Sequence, residues 1–286
     1  MSLGFCEKKY VYNKHMTIAD WLFDTMKKLG KAEVDSPRRD ALVLLEDVLG
    51  KDRAWVLSHP EKELDKKDLL SVNKLVNRRA KREPLAYIRG KAWFYGRFFD
   101  VSPTVLIPRP ETENFIELTL NFIKLKSPKI ADIGCGSGII GITLKLERPS
   151  WQIDLIDVDE KALEVAKKNL EKHKVELDIV KSDLFKEVLK NYDVVVANLP
   201  YVPEGLVTSP EIEAEPKIAL FAGEDGLDVY KKFWQEVHEL SKKPKIIIIE
   251  SLESQHMIMV GIAQTSEYTL EKTLGLVQLY TKTKIS

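Results

Sequence analysis

Residues 129–141 read Lys-Ile-Ala-Asp-Ile-Gly-Cys-Gly-Ser-Gly-Ile-Ile-Gly. A short apolar run ends on Asp132-Ile133, three glycines follow at Gly134, Gly136 and Gly138, and a second apolar run opens at Ile139. That order predicts a strand, a tight glycine turn and a helix, the unit from which open α/β sheets are built. In such sheets ligands collect at the carboxyl ends of the strands, where glycines let the backbone come close. Downstream the pattern repeats, with strands predicted at 129–133, 152–157, 177–180, 193–197 and 245–250, and helices at 139–147, 160–172, 226–240 and 254–265. Strand and helix in alternation predict a mostly parallel sheet covered on both faces. From 268 to 283 two extended halves flank Gly275 without a helix between them, which predicts a terminal antiparallel hairpin.

Upstream the character changes. Pro103, Pro108 and Pro110 exclude regular structure until a helix at about 111–124, and the aromatic stretch 93–101 turns at Gly96 as a hairpin would. Before it, Thr17 precedes Ile18, Trp21, Leu22, Met26 and Leu29, with Gly30 placed as a stop. Ser36-Pro37 opens a second helix that runs to Gly50, and further helices are expected at 52–57 and 65–81. The expected organisation is a helical bundle over 1–90, a hairpin and linker over 91–110, and a sheet domain over 111–286. The charged stretch 61–68 reads as a solvated face.

Composition limits the function classes. The 286 residues carry 44 Lys and Arg against 44 Asp and Glu, which disfavours a broad phosphate-binding surface. Stable binding to nucleic acid is therefore not expected. Two cysteines, Cys6 and Cys135, cannot form a disulfide framework and fit a reducing compartment, so the cytoplasm is the expected location. The apolar run 246–249 is far shorter than the roughly 20 residues that cross a bilayer, and the start Met-Ser-Leu-Gly-Phe-Cys-Glu lacks a signal-peptide core. No membrane role is expected. The histidines, His15, His59, His173, His238 and His256, have no metal-ligand spacing, so no metal is expected.

The glycine turn admits two cofactors. Gly136-x-Gly138-x-x-Gly141 also matches the dinucleotide fingerprint, with Asp157 as the ribose acid after the next strand. Asp132, two residues before the first glycine, separates them: a carboxylate there suits a ligand with a charged amino-acid end and repels a pyrophosphate. The pattern Asp-x-Gly-x-Gly-x-Gly resembles motif I of class I S-adenosylmethionine-dependent methyltransferases. That resemblance implies that Asp132, Gly134, Gly136 and Gly138 bind the cofactor, that Asp157 grips the ribose hydroxyls, and that Asp183 and Leu184 meet the adenine. Cys135 reads as a small packing residue in the turn.

The fourth strand delivers Asn198-Leu199-Pro200-Tyr201. It resembles the (Asn/Asp/Ser)-x-Pro-(Tyr/Phe/Trp) motif of methyltransferases that modify planar nitrogen. An amide nitrogen is a poor nucleophile because its lone pair is delocalised, so the enzyme must position it and favour the charge that develops on it. The Asn198 oxygen and the carbonyl of Leu199 can accept the two amide hydrogens, Pro200 stiffens the turn, and Tyr201 can pack on the planar group. Asn198 also faces the expected cofactor side.

Further segments narrow the resemblance. Pro84-Leu85-Ala86-Tyr87-Ile88-Arg89-Gly90, then Phe94-Tyr95-Gly96, then Val105-Leu106-Ile107-Pro108-Arg109-Pro110-Glu111-Thr112-Glu113, and downstream Glu215-Pro216-x-x-Ala219-Leu220 and Gly223-Glu224-Asp225-Gly226-Leu227-Asp228-x-Tyr230 closely resemble the protein-glutamine methyltransferases of peptide chain release factors, the HemK/PrmC family. The resemblance implies S-adenosylmethionine as cofactor and the glutamine of a release factor's Gly-Gly-Gln motif as substrate. It also implies an N-terminal bundle that helps engage the factor, and substrate contacts from Arg109, Glu111, Asn198 and Tyr201. Leu199 stands where that family usually has proline; since the position contributes its carbonyl, Leu199→Pro is expected to be tolerated. Glutamine methylation of ribosomal protein L3, adenine-N6 methylation of nucleic acid and a nicotinamide oxidoreductase remain the alternatives, and a monomer is the default expectation.

Overall fold

The computed structural model describes residues 16–206 and 209–283; Cys6, His15 and the N-terminal stretch read above for a signal peptide lie outside the described residues. The chain divides into two compact units, Met1–Arg89 and Gly90–Ser286.

The first unit holds α1 (Ile18–Lys31), α2 (Pro37–Leu49), α3 (Arg53–Ser58), α4 (Lys66–Arg79) and α5 (Leu85–Arg89). The side chains of Thr17, Asp52 and Asp65 each accept a backbone N–H at a helix start, which satisfies donors the first turn leaves orphaned. Ser36 stands at the N-cap of α2 without such a bond. Gly30 does not stop α1: the N–H of Ala32 still bonds back to Lys28 and Leu29, and the left-handed residue that turns the chain is Glu33 at φ 55°. Ile18, Trp21, Leu44, Leu45 and Val72 are among the buried side chains of its core. Arg79 and Asp40 form an ion pair inside this unit at 2.7 Å, with Asp40 fully buried.

The second unit opens with β1 (Lys91–Phe94) and β2 (Arg97–Asp100). Tyr95 and Gly96 both take positive φ, 44° and 77°, the backbone of the two-residue turn that matches strand twist. A 3₁₀ turn at Pro110–Thr112 leads into α6 (Glu113–Phe122). The chain then alternates through β3 (Lys129–Ile133), α7 (Ile139–Glu147), β4 (Gln152–Asp157), α8 (Glu160–His173), β5 (Asp178–Lys181) and β6 (Val194–Ala197). It continues with α9 (Pro210–Glu213), α10 (Asp228–Glu239), β7 (Ile246–Glu250), α11 (His256–Thr265), β8 (Tyr268–Leu274) and β9 (Val277–Lys282).

Seven of the described strands make one sheet in the order β5-β4-β3-β6-β7-β9-β8. The first five run parallel, and β9 is antiparallel to both β7 and β8. Period-two alternation sorts the side chains. Ile130, Val194, Val196 and Ile248 pack with Phe94, Phe115 and Leu144 in one buried cluster. Their neighbours Ala131, Ile133, Val195 and Ile249 pack with Tyr230, Trp234 and Met259 in another. Both faces are covered, which is why these strands read as continuous apolar runs. Each fully buried large side chain contributes roughly 1.5–3 kcal/mol of transfer free energy. Because β3, β4, β5, β6 and β7 are parallel, the loops that follow them emerge at one edge.

Candidate active site

At that edge the loop after β3 is held by backbone bonds from Gly134 and Cys135 to the carbonyl of Ile156, at 2.8 and 3.0 Å. Gly136 donates its N–H to Asp157 Oδ2 at 2.8 Å, and Asp159 donates to Oδ1 at 2.9 Å. Asp157 thus ties the glycine turn to the start of α8, while burial raises its carboxyl above the ordinary range. Gly136 sits at φ 55°, and a Cβ there would meet nothing within 4 Å. The turn is open on its outer side, as a bound ligand requires.

A cavity of about 340 Å³ lies over these loops. Of the residues expected at a cofactor, Gly134, Gly136, Asp157, Asp183, Leu184 and Asn198 line it. Asp132 and Gly138 do not line it. Asp132 is 1% exposed, accepts the N–H of Gly141 on Oδ2 at 2.8 Å, and keeps Oδ1 buried with no hydrogen-bond partner. It lies beneath the turn, where burial pushes its carboxyl up to about 7. An orphaned buried carboxylate oxygen under an open glycine turn fits a cofactor carrying a positive amino end. Cys135 lines the cavity but is buried, which pushes its thiol up, as suits a packing residue.

Asp183 is partnered already. Lys186 and Lys232 each place an ammonium 2.6 Å from its carboxylate and hold it below the usual range. An adenine amino group would share that acid with two cations.

The tetrapeptide is fixed mainly from below. Leu199 donates its N–H to the Tyr230 hydroxyl at 3.3 Å, and that hydroxyl lies 2.7 Å from the carbonyl of Glu250. Gln255 Nε2 donates to the carbonyls of Tyr201 and Asp225 at 2.9 and 3.0 Å. Gly226, at φ 73°, approaches so closely that a Cβ there would stand 2.3 Å from the Tyr201 carbonyl. Leu199 Cδ2 lies 2.9 Å from the Cβ position of Gly134, so the tetrapeptide and the glycine turn are in direct contact. Asn198, Leu199 and Pro200 line the cavity. Tyr201 does not line it and points its hydroxyl to Glu250 Oε1 at 2.8 Å; the planar-stacking role expected of it is not what its hydroxyl serves here.

Arg109 lines the cavity with its guanidinium held by Glu215, whose second oxygen accepts the N–H of Ile107 at 2.9 Å. Glu111 does not line it. Sequence reasoning took Thr112, Glu215 and Tyr230 only as members of a pattern and passed over Lys232, Glu250 and Gln255. Glu250 carried a signal: it is the acid ending the apolar run 246–249, at the edge where the other site residues end their strands. Among the described residues no group of three or more His, Cys, Asp or Glu could hold a metal ion, and no helix is long and apolar enough to cross a membrane.

A mostly parallel sheet with a terminal antiparallel pair, a glycine turn backed by acids, and Asn-Leu-Pro-Tyr after β6 define a class I S-adenosylmethionine-dependent methyltransferase. Two family models match the chain, the PrmC N-terminal domain over residues 20–90 and the methyltransferase small domain over 115–215. The release factor glutamine methyltransferase of Koribacter versatilis is 36% identical over 78% of this chain and 82% of its own length; that of Coxiella burnetii is 39% identical over 68% and 72%. The chain belongs to the release factor glutamine methyltransferase family. It also matches a bifunctional methyltransferase of Rickettsia bellii at 35% identity over 82% of its own residues, spanning 48% of that longer protein. Among solved structures the hMettl16 catalytic domain with an RNA hairpin superimposes with TM-score 0.51 at 16% identity, covering 77% of this chain and 82% of that one. The likeness is one of fold.

Proposed function

We propose that this protein transfers a methyl group from S-adenosylmethionine to the side-chain amide nitrogen of the glutamine in the Gly-Gly-Gln motif of peptide chain release factors. The observation that carries the reading is the shared cavity: Asn198, Leu199 and Pro200 line the same space as Asp157 and the glycine turn. The printed names of the relatives supply the substrate class.

When bound, S-adenosylmethionine supplies an electrophilic methyl group. Asp157, pinned by two backbone N–H groups, is ready to accept from ribose hydroxyls, and Gly134 and Gly136 leave the backbone close to the ligand. Asn198 Oδ1 accepts one hydrogen of the substrate amide and the Leu199 carbonyl the other, aligning the nitrogen for in-line attack and favouring the positive charge that grows on it. The nitrogen loses a proton after transfer, so no strong base is needed. Arg109, braced by Glu215, stands at the cavity wall to meet the substrate backbone. The helical unit up to Arg89 engages the release factor beyond its glutamine, because one amide in a pocket supplies little discrimination. The enzyme works as a monomer in the cytoplasm.

The test is incubation with labelled cofactor and, in parallel, release factor, ribosomal protein L3, rRNA and DNA. Label on the release factor glutamine is expected. Label on L3 or on nucleic acid alone overturns the reading.

A further inference from the structure

The loop after β5, residues 182–187, is shaped by its own bonds and then gripped from α10. Ser182 Oγ donates to the Leu184 carbonyl at 2.8 Å and accepts the N–H of Glu187 at 3.1 Å, while the Asp183 N–H reaches Glu187 Oε2 at 3.2 Å. Leu184 takes φ 58°, a left-handed conformation that residues other than glycine rarely adopt. Three α10 side chains at 232, 233 and 236, spaced to share one helix face, hold this turn. Lys232 Nζ lies 2.6 and 2.5 Å from the two oxygens of Asp183, the Phe233 ring packs 5.6 Å from that of Phe185, and Glu236 Oε2 accepts the Phe185 N–H at 3.0 Å. Asp183 and Leu184 line the cavity; the three α10 residues stand behind them, outside its lining.

Ser182 also donates its N–H to the carbonyl of Asp157 at 3.0 Å, so the turn stands beside the acid proposed to hold the ribose. A base joined to that ribose meets an apolar side chain, Leu184, and an acceptor, Asp183, which suit the ring and the exocyclic amine of adenine. Hydrogen bonds from Lys186 and Lys232 favour the ionised form of Asp183. An ionised carboxylate only accepts, with about two places on each oxygen. Lys232 takes one place on each oxygen, and Lys186, at 2.6 Å, takes a second on Oδ2. The place left is on Oδ1. An amine can use it, whereas the oxygen of a 6-oxo purine, itself an acceptor, cannot.

We propose that Lys232 and Glu236 are positioning residues for the adenine end of the cofactor: Glu236 pins the backbone at Phe185, Lys232 turns the Asp183 carboxylate, and together they present Oδ1 to the 6-amino group. The inference rests on the cofactor and on Asp183 as the acid that meets its base, and is independent of which amide receives the methyl group.

The experiment measures, by titration calorimetry on the full chain, the preference for S-adenosylhomocysteine over the analogue with hydrogen in place of the 6-amino group. The wild type should prefer the amino form about tenfold or more, as a charge-assisted hydrogen bond supplies, and Asp183→Ala should bring the two ligands within about twofold. Lys232→Met and Glu236→Ala should each cut the preference about threefold or more through weaker binding of S-adenosylhomocysteine, with the analogue changed less than about twofold. Lys232→Arg and Glu236→Gln, which keep a donor and an acceptor, should retain most of it. Lys232 is 41% exposed, so Lys232→Met decides the question if Glu236→Ala does not fold. A wild-type preference in either breaking variant, an equal loss for both ligands, or a preference that rises in Lys232→Met because the ammonium competes with the base overturns the proposal. So does an undiminished preference in Asp183→Ala, which would give the base another reader. No methyl acceptor enters the measurement, so the outcome stands apart from the choice between release factor and other substrates.

Discussion

In the proposed transfer Asp157 serves binding and Asn198 chemistry, and single substitutions separate the two. Asp157→Ala removes a charge-assisted acceptor from the cavity and should weaken S-adenosylhomocysteine by roughly 1.5–3 kcal/mol, read by titration calorimetry. Asn198→Ala should leave that affinity nearly unchanged and lower kcat strongly, because the proposed transfer uses its oxygen on the substrate. Asp132 makes a different prediction. Its carboxyl moves from 3.8 to about 7 on folding. Below the lower value both states hold the proton. Between the two the unfolded chain has lost it while the folded chain keeps it, so rising pH removes stability until the folded group also ionises. Relative to Asp132→Asn, the wild type should therefore lose stability from about pH 4 to about pH 7, measured as urea midpoints; a difference independent of pH would disprove it. The polar side chains of the cavity wall were legible because Asp157, Asp183 and Asn198 end or follow predicted strands at the end where parallel sheets bind ligands. Glu250, Lys232 and Gln255 were not, since their role depends on partners 20 to 54 residues away along the chain, and no local pattern encodes that pairing.

Among elements, the turn that carries the tetrapeptide is clamped between Tyr230, Gln255 and Gly226. Gly226→Ala would set a methyl group 2.3 Å from the Tyr201 carbonyl in a left-handed backbone. The variant should lose about 1 kcal/mol or more of stability from the backbone alone, and kcat should fall because the displaced carbonyl moves the strand end that holds Asn198. Thermal unfolding together with turnover checks both. The structure also revises the expectation for Leu199→Pro. The Leu199 N–H has a partner in Tyr230, so proline removes a buried hydrogen bond worth about 1 kcal/mol, and its smaller ring gives up the contact with Gly134. A modest fall in melting temperature with measurable activity is the expected outcome. Helices and strands with a clear period were read within a residue or two, whereas Gly30 misled: glycine marks a helix end only where the chain turns left-handed, and here Glu33 does so. Helix α5 escaped because five residues are too few to display a period.

At the scale of the whole molecule, residues 90–286 have their own sheet and their own buried clusters. Expressed alone they should bind S-adenosylhomocysteine with near-native affinity, show a raised KM for intact release factor, and show a smaller change for a short Gly-Gly-Gln peptide. Equal losses on protein and peptide would mean that the helical unit supports the chemistry. The parallel core and terminal hairpin could be read from local alternation, but strand order could not, because pairing joins segments far apart in sequence. That order places β9 between β7 and β8. β7 and its partner β9 are separated by some thirty residues of chain, so until β9 docks the edge of β7, with Ile247 and Ile249 on it, offers unpaired backbone N–H and C=O groups. A chain in which β9 has come away from β7 is thus the form of this protein most exposed to edge pairing with its neighbours, and the form a chaperone would be expected to hold.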